Sequence, residues 1–350
     1  MRRSLQIAAM ASGYTSPNPM VGAVLVYNDR VIGEGFHHAY GRHHAEVDCL
    51  LSAAEMDRQW IPDSTLYVTL EPCAHYGLTP PCALLLVRER VKRVVIANTD
   101  PFVQVSGKGI AILQEAGIAV ETGMLAAEGL WLNRRFFCFH TQYRPYIVLK
   151  WAQTSDGYIA LADKSRYQIT GNLAQQLVHK WRTEEAAILV GATTALNDNP
   201  QLTARLWQGK QPLRVVLDRN LLLPHTHAIF DATAETWIVN EQKEEQRGNV
   251  RFVQLPFGTS LIASLLQQLH IAKKLSLIVE GGAQLLNSFL EQGLWDEARI
   301  FTGSQTLGGG LPAPFLSNAT MAFETTIGSD RLNVLVNKES SYRYVAGMGL

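Results

Sequence analysis

Up to about residue 140, short apolar runs alternate with stretches whose apolar positions recur every three or four residues. These are the periods of strand and helix respectively. "VGAVLVY" (21–27) predicts a strand, Asn28-Asp29 a hairpin turn, and "RVIGEG" (30–35) the returning strand. "HHAEVDCLLSAAEM" (43–56) predicts a helix, "TLYVTL" (65–70) a buried strand, "PPCALLLVRER" (80–90) a helix opening on proline, and "RVVIAN" (93–98) another strand. A helix at "KGIAILQEAG" (108–117), a short strand at "IAVET" (118–122) and an amphipathic helix from about Met124 complete an α/β layer.

"HTQYRP", ending in Pro145, interrupts the pattern, and a second strand-led unit begins at "YIVLKWA" (146–152). "AILVG", "LRVVLD", "TWIVN", "RFVQL" and "LSLIVEGG" follow as strands, with helices near 171–182, 259–271 and 282–291. Short β-prone segments after Arg299 add hairpins to a central sheet. The expectation is a two-domain α/β chain, divided as 1–143 and 144–350.

Composition narrows the function classes. The 350 residues are 47% hydrophobic and 18% charged, ordinary for a globular protein with real cores. Lys plus Arg equals Asp plus Glu at 31 each, which argues against a broad electrostatic footprint for nucleic acid or a membrane surface. The implied partner is a small molecule. "MRRSLQIAAMASGY" has only a short apolar run broken by Gln6 and Ser12, so it reads as a helix and not a signal peptide. A cytoplasmic location is expected, where thiols stay reduced and four cysteines favour metal or catalysis over disulfides.

Two of those cysteines lie in "LEPCAHYGLTPPC" (70–82), each after a proline. Cys73 and Cys82 with His44 are ligand types that suit zinc, and three protein ligands leave a fourth position for water. Glu46, two residues beyond His44, stands where it could move protons. A closed structural site with His43 as fourth ligand is the rival, but adjacent residues rarely converge on one ion and Glu46 would then have no task. Cys49 and Cys138 lie in apolar helical contexts and read as core. The His-x-Glu and Pro-Cys pattern is similar to that of the zinc nucleobase deaminases, with eight residues between the cysteines here instead of two.

"SPNPMVG" (16–22), "HHAEV" (43–47), "YVTLEPCAHYG" (67–77) and "TPPC" (79–82) together resemble the deaminase domain of the bifunctional riboflavin-biosynthesis deaminase-reductases. "YIVLKWAQTSDGYIA" (146–160), "ILVGATTALNDNPQLTAR" (188–205), "RVVLD" (214–218) and "VEGGAQL" (279–285) resemble the reductase domain of the same family. The resemblance implies a cytidine-deaminase-like α/β/α domain followed by a dihydrofolate-reductase-like α/β domain. It implies zinc on His44, Cys73 and Cys82, Glu46 as proton carrier, and the pyrimidine ring on Asn18, His37 and His75. In the second domain it implies NADPH contacts at Ala152, Thr194, Asp198 and the turn Gly282, Ala283, Gln284, Leu285, Leu286, Asn287 and Ser288. Substrate contacts are implied at Arg182, Leu202, Arg205 and Glu280, with Lys150 and Asp156 as further polar groups facing the sugar. The substrate is then a pyrimidine ribosyl phosphate, and a homodimer or higher homo-oligomer is expected.

Taken alone, each histidine or arginine here would be an ordinary core or surface residue, and Gly281-Gly282 only a tight turn; their joint order carries the reading. Departures from the family pattern are Leu78 for a cation, Phe102 for Asn, Arg166 and Gln168 in "RYQIT" (166–170), and Arg219 after Asp218. Arg42, two residues before His44, is the candidate replacement for the cation missing at Leu78. Two rival functions stand beside this reading, the first of them motivated by the departures. One is a paralogue acting on another pyrimidine nucleotide; the other is a zinc-stabilised nucleotide-binding module without catalysis.

Overall fold

The turn at Asn28-Asp29 has both residues at positive φ, 45° and 58°, the geometry that matches the twist of a two-residue hairpin. It joins β1 (Gly22–Tyr27) to β2 (Arg30–Phe36) at one edge of a five-stranded sheet of order β2-β1-β3-β4-β5, with β3 Thr65–Leu70, β4 Arg93–Asn98 and β5 Ala119–Thr122. β1 is antiparallel to both neighbours, while β3, β4 and β5 run parallel. The structure is a computed structural model, described here for residues 1–76, 80–103, 105–163 and 167–349.

Two glycines show the layering. A Cβ on Gly22 would strike the backbone of α1 (Arg2–Ala9), and one on Gly35 the backbone of α2 (Ala45–Ser52). Gly35 pairs with Ala23, the neighbour of Gly22, and successive strand residues face opposite ways. Helices therefore cover both faces of this sheet. α2, α3 (Cys82–Arg88) and α4 (Lys108–Glu115) bury Cys49, Leu86 and Leu113 against Leu66, Val68 and Ile96. The helix expected over 43–56 ends at Ser52, and a separate 3-10 stretch, Glu55–Asp63, leads to β3.

The single helix expected from Met124 is two, α5 (Ala126–Leu132) and α6 (Arg134–Thr141). At the break, the Asn133 amide exchanges two 2.8 Å hydrogen bonds with the Met20 backbone. By contact, this first unit also includes residues 345–349. Met348 packs on Leu5, Ala8 and Leu132, and Trp131 Nε1 donates to the Gly349 carbonyl at 3.1 Å. The division at 143/144 assigned this tail to the second domain; its aperiodic sequence carries no sign of which core it joins.

The second unit spans Tyr143–Tyr344. Its elements are β6 (Tyr146–Gln153), β7 (Tyr158–Ala160), α7 (Asn172–Glu184), β8 (Ala187–Gly191), α8 (Ala192–Asp198), β9 (Leu213–Leu217), β10 (Thr236–Asn240), β11 (Glu245–Arg247) and β12 (Val250–Gln254). They continue with α9 (Leu261–Ile271), β13 (Ser276–Val279), α10 (Ala283–Glu291), β14 (Glu297–Thr302), β15 (Leu311–Pro312), β16 (Ala319–Ile327) and β17 (Asp330–Asn337). The ten-stranded sheet runs β11-β12-β10-β9-β8-β13-β6-β14-β17-β16, parallel through its centre and antiparallel at both ends. Leu265, Leu269, Leu286 and Phe289 of α9 and α10 bury its core with Leu149 and Val279. Among the described residues no helix is long and apolar enough to cross a membrane.

Candidate functional sites

In the first unit, His44 is the residue preceding α2 and Cys82 opens α3, so two helix N-termini meet where Cys73 arrives from the end of β3. Helix N-termini favour negative charge. Cys73 Sγ lies 3.5 Å and Cys82 Sγ 3.4 Å from His44 Nδ1, and the three ligand atoms all lie within 4.8 Å of one another. A tetrahedral zinc with Zn–N of about 2.0–2.1 Å and Zn–S of about 2.3 Å would place S and N about 3.5 Å apart. The donor set and its spacing fit that ion. His43 is not in the group; its carbonyl accepts from His37 Nδ1 at 2.9 Å.

The electrostatics divide the two sulfurs. The Cys82 thiol, then the His44 ring and the Cys82 N–H, hold the Cys73 thiol down at about 4. Cys82, the donor in that pair and buried, is pushed up. Burial, reinforced by Cys73, raises the Glu46 carboxyl to about 7, and it hydrogen-bonds with Cys82. Cys49 and Cys138 are buried, as core cysteines should be, and the Cys138 thiol donates to Gln142 Oε1 at 3.8 Å.

Asn18 and His37 come together at 3.2 Å. Because His37 Nδ1 must donate to the His43 carbonyl, its Nε2 is the acceptor and the Asn18 amide nitrogen faces it. Asn18 Oδ1 is thereby turned away from the ring. Burial holds His37 below its ordinary value, with His44 and His38 adding to the effect. His75 is exposed and meets Phe102 edge-on, with ring centroids 6.3 Å apart; Phe102 in turn meets His140 at 5.2 Å. Arg42 is exposed. Leu78 lies outside the described residues.

The second unit gathers Lys150 of β6, Arg182 of α7 and Glu280 at the end of β13. Arg182 Nε and Nη2 donate to the two Glu280 oxygens at 3.0 and 2.8 Å, and Lys150 Nζ is 3.6 Å from Glu280. Arg182 Nη1 also donates to the Thr203 carbonyl at 3.2 Å. That bond carries α7 to the loop of Leu202, which is buried at φ 55°, and of Arg205, which is exposed. Arg205 Nη1 reaches Thr203 Oγ1 at 3.3 Å. Burial pushes Lys150 down despite Glu280.

Ala152 lies on β6, and Thr194 and Asp198 on α8. Gly282 caps α10, where a Cβ would sit 3.5 Å from Thr194 Oγ1, so that residue and the glycine turn are brought together. Within the turn, Gln284 is exposed, Leu285 and Asn287 are half-buried, and Ser288 Oγ donates to the Gln284 carbonyl. Ala283 and Leu286 are buried, Leu286 at 0% exposure in the core. Their side chains face inward, which leaves only their backbone for a ligand.

Asp156 is held by backbone and hydroxyl donors. Its carboxylate accepts from Thr154 Oγ1 at 2.6 Å and from the Leu307 and Gly308 N–H groups at 3.0 and 2.7 Å. It fastens Leu307 and Gly308, while Ser155 Oγ donates to the Gln305 carbonyl at 3.0 Å. Of the departures, Gln168 donates to the Thr170 carbonyl and Arg219 pairs with Glu241 at the surface. Arg166 lies outside the described residues.

Two residues escaped the sequence reading. His179 precedes Arg182 by three on α7, and its Nδ1 accepts the Arg205 N–H at 2.9 Å. Burial, with Arg182 and Arg205 beside it, lowers His179 to about 4, so it remains an acceptor. The His-x-x-Arg spacing on one helix face was its signal. Glu71, inside the quoted "YVTLEPCAHYG", is the other.

Residues 1–98 match the cytidine and deoxycytidylate deaminase zinc-binding region, and residues 145–325 match the RibD C-terminal domain. The chain is 40% identical over 319 residues to riboflavin biosynthesis protein RibD of Aquifex aeolicus, covering 89% of this chain and 88% of that one. A solved RibD structure from Acinetobacter baumannii superposes with a TM-score of 0.87 at 35% identity, covering 96% of this chain and 97% of that one. A Thermotoga maritima structure, described as a diaminohydroxyphosphoribosylaminopyrimidine deaminase and 5-amino-6-(5-phosphoribosylamino)uracil reductase, gives 0.87 at 34% identity with the same coverage.

Proposed function

This chain belongs to the RibD family of bifunctional riboflavin-biosynthesis deaminase-reductases, and from that premise we propose how its own residues divide the two reactions. The first unit is the deaminase and the second the reductase. The single observation carrying the assignment of residues is the convergence of His44, Cys73 and Cys82 with Glu46 buried beside them.

In the first unit, His44, Cys73 and Cys82 would hold zinc. Bound there, it would supply the acidity that makes a water nucleophilic near neutral pH. Glu46 takes a proton from that water and delivers it to the departing ring amine, so that ammonia leaves. Its burial keeps the carboxyl able both to accept and to release a proton. Asn18 presents Oδ1 to a donor on the diaminopyrimidinone ring, since its nitrogen is committed to His37. His75, backed by Phe102, borders the ring.

In the second unit, NADPH would supply the hydride that forms the new C–H bond at the ribosyl carbon as its ring C–O bond breaks, with a solvent proton going to the released oxygen to give ribityl; the side chains orient and none need act as nucleophile. Ala152, Thr194, Asp198 and the backbone of the 282–288 turn would hold the cofactor, with the α10 N-terminus suited to a phosphate. Arg205 grips the substrate phosphate through paired hydrogen bonds. Arg182, already bound to Glu280, steadies the Arg205 loop, and Lys150 faces the sugar. The enzyme works in the cytoplasm as a homodimer or higher homo-oligomer.

The test is to supply the diaminopyrimidinone ribosyl phosphate and follow ammonia release and NADPH oxidation in sequence. Both should occur, with Glu46→Gln abolishing the first and sparing the second when deaminated substrate is given. Activity only on another pyrimidine nucleotide, or zinc binding with neither reaction, would replace this reading by one of its rivals.

A further inference from the structure

Cys73 lies in coil, three residues past the end of β3, yet a zinc ligand must be held in place before the ion arrives. Its downstream side is tied to α3, for the Ala83 N–H donates to the Cys73 carbonyl at 3.2 Å and the Cys82 N–H to its sulfur at 3.3 Å. Its upstream side is held by a residue without an assigned role. Glu71 is 3% exposed, and both its oxygens are fully engaged by backbone. Oε2 accepts from Asp100 N at 3.2 Å and Gly107 N at 3.0 Å; Oε1 accepts from Gly109 N at 2.9 Å and Ile110 N at 3.2 Å.

Gly109 and Ile110 are the second and third residues of α4, whose orphan N–H groups a capping side chain ordinarily satisfies. The residue in the cap position is Gly107, which has no side chain. Glu71 supplies the cap from another segment and so locks the β3 exit to the start of α4. The approach is close: a Cβ on Gly109 would lie 2.0 Å from the Pro72 carbonyl oxygen. Pro72 then carries this fixed point directly to Cys73.

We propose that Glu71 is a positioning residue for the metal site, holding Cys73 Sγ in ligating geometry by clamping the Pro72–Cys73 segment to the α4 N-terminus. The proposal rests on zinc being held by His44, Cys73 and Cys82. Glu71→Gln keeps the shape but turns an NH2 group toward two N–H donors, releasing the clamp on one side.

The experiment measures zinc affinity by chelator competition at 25 °C in the full-length protein, with the thiolate-to-cobalt absorption of the Co(II)-substituted protein as a second readout. Glu71→Gln should weaken zinc by about 10- to 100-fold, the usual cost of losing a residue that orients a ligand, and should alter the cobalt spectrum. Leu113→Ala, in the buried face of the same α4, controls for lost stability: it should lower the melting temperature and leave both metal readouts unchanged. Unchanged affinity and spectrum in a folded Glu71→Gln protein overturn the proposal, as does an equal loss in Leu113→Ala. If the Gln variant fails to fold, Glu71→Asp decides, because its shorter reach loosens the same clamp while keeping the charge. Wild-type protein that binds no zinc would instead overturn the underlying metal reading.

Discussion

Replacing Glu280 by Gln removes the carboxylate that faces Arg182 and Lys150. The three side chains are only 7%, 13% and 16% exposed. Burial alone would raise the Glu280 carboxyl, but the charges of Arg182 and Lys150 outweigh it and pull the group from 4.5 to about 2. A group depressed in the folded state contributes stability above its unfolded value and loses it as pH falls toward its folded value. At 1.36 kcal/mol per pH unit, the contribution is about 3 kcal/mol at pH 7. It falls to less than about half of that by pH 3. Breaking a buried pair from one side costs about 3–5 kcal/mol, which agrees. For a unit of this size each kcal/mol is worth about 2–4 °C, so Glu280→Gln should lower the melting of the second unit by about 6–12 °C. Differential scanning calorimetry of the ligand-free protein at pH 7 should show that shift with the first unit's transition unmoved. At pH 3 the gap between wild type and variant should have narrowed. A shift below about 1 °C at pH 7, or a gap independent of pH, would refute the reasoning.

Metal analysis should find about one zinc per chain, and Glu46→Gln should retain that zinc while losing ammonia release. Arg205→Ala should raise the reductase KM for its phosphorylated substrate at least about tenfold, with the KM for NADPH little changed; equal loss of both counts against a phosphate role. Arg42→Ala should raise the deaminase KM for the phosphorylated substrate, and unchanged kinetics would dismiss Arg42 as the replacement cation. Deleting residues 345–350 should lower the first unit's melting temperature by several degrees, since Leu5, Ala8 and Leu132 lose Met348 as cover and Trp131 loses its acceptor.

Strands were legible wherever the apolar pattern was strict: "TLYVTL" and "RVVIAN" occupy β3 and β4 residue for residue. The division of α5 from α6 was not, because it depends on Asn133 meeting Met20 from 113 positions away. α8 escaped because "ATTALND" is short and rich in residues that suit turns as well as helices. In the site, ligand types and order singled out His44, Cys73 and Cys82, whose ligand atoms the fold brings within 4.8 Å of one another. What each polar group is bonded to was hidden: nothing in the sequence shows that the Asp156 carboxylate accepts from the Leu307 and Gly308 N–H groups. Glu71 acts only through backbone N–H groups brought near by folding, which have no side-chain signature, and His179 through the Arg205 N–H, with only its His-x-x-Arg spacing as a hint.

The return of the tail to the first unit has a consequence for biosynthesis. Trp131 and its acceptor Gly349 are separated by 218 positions, about 10–40 s of translation at roughly 5–20 residues per second. During that interval the deaminase half is out of the ribosome without its last covering residues, while the whole reductase half is being made. A message cut short within the second half therefore yields a first half with an uncovered apolar patch, open to the cell's proteases. Full stability of the first catalytic unit becomes a mark that the second has been synthesised.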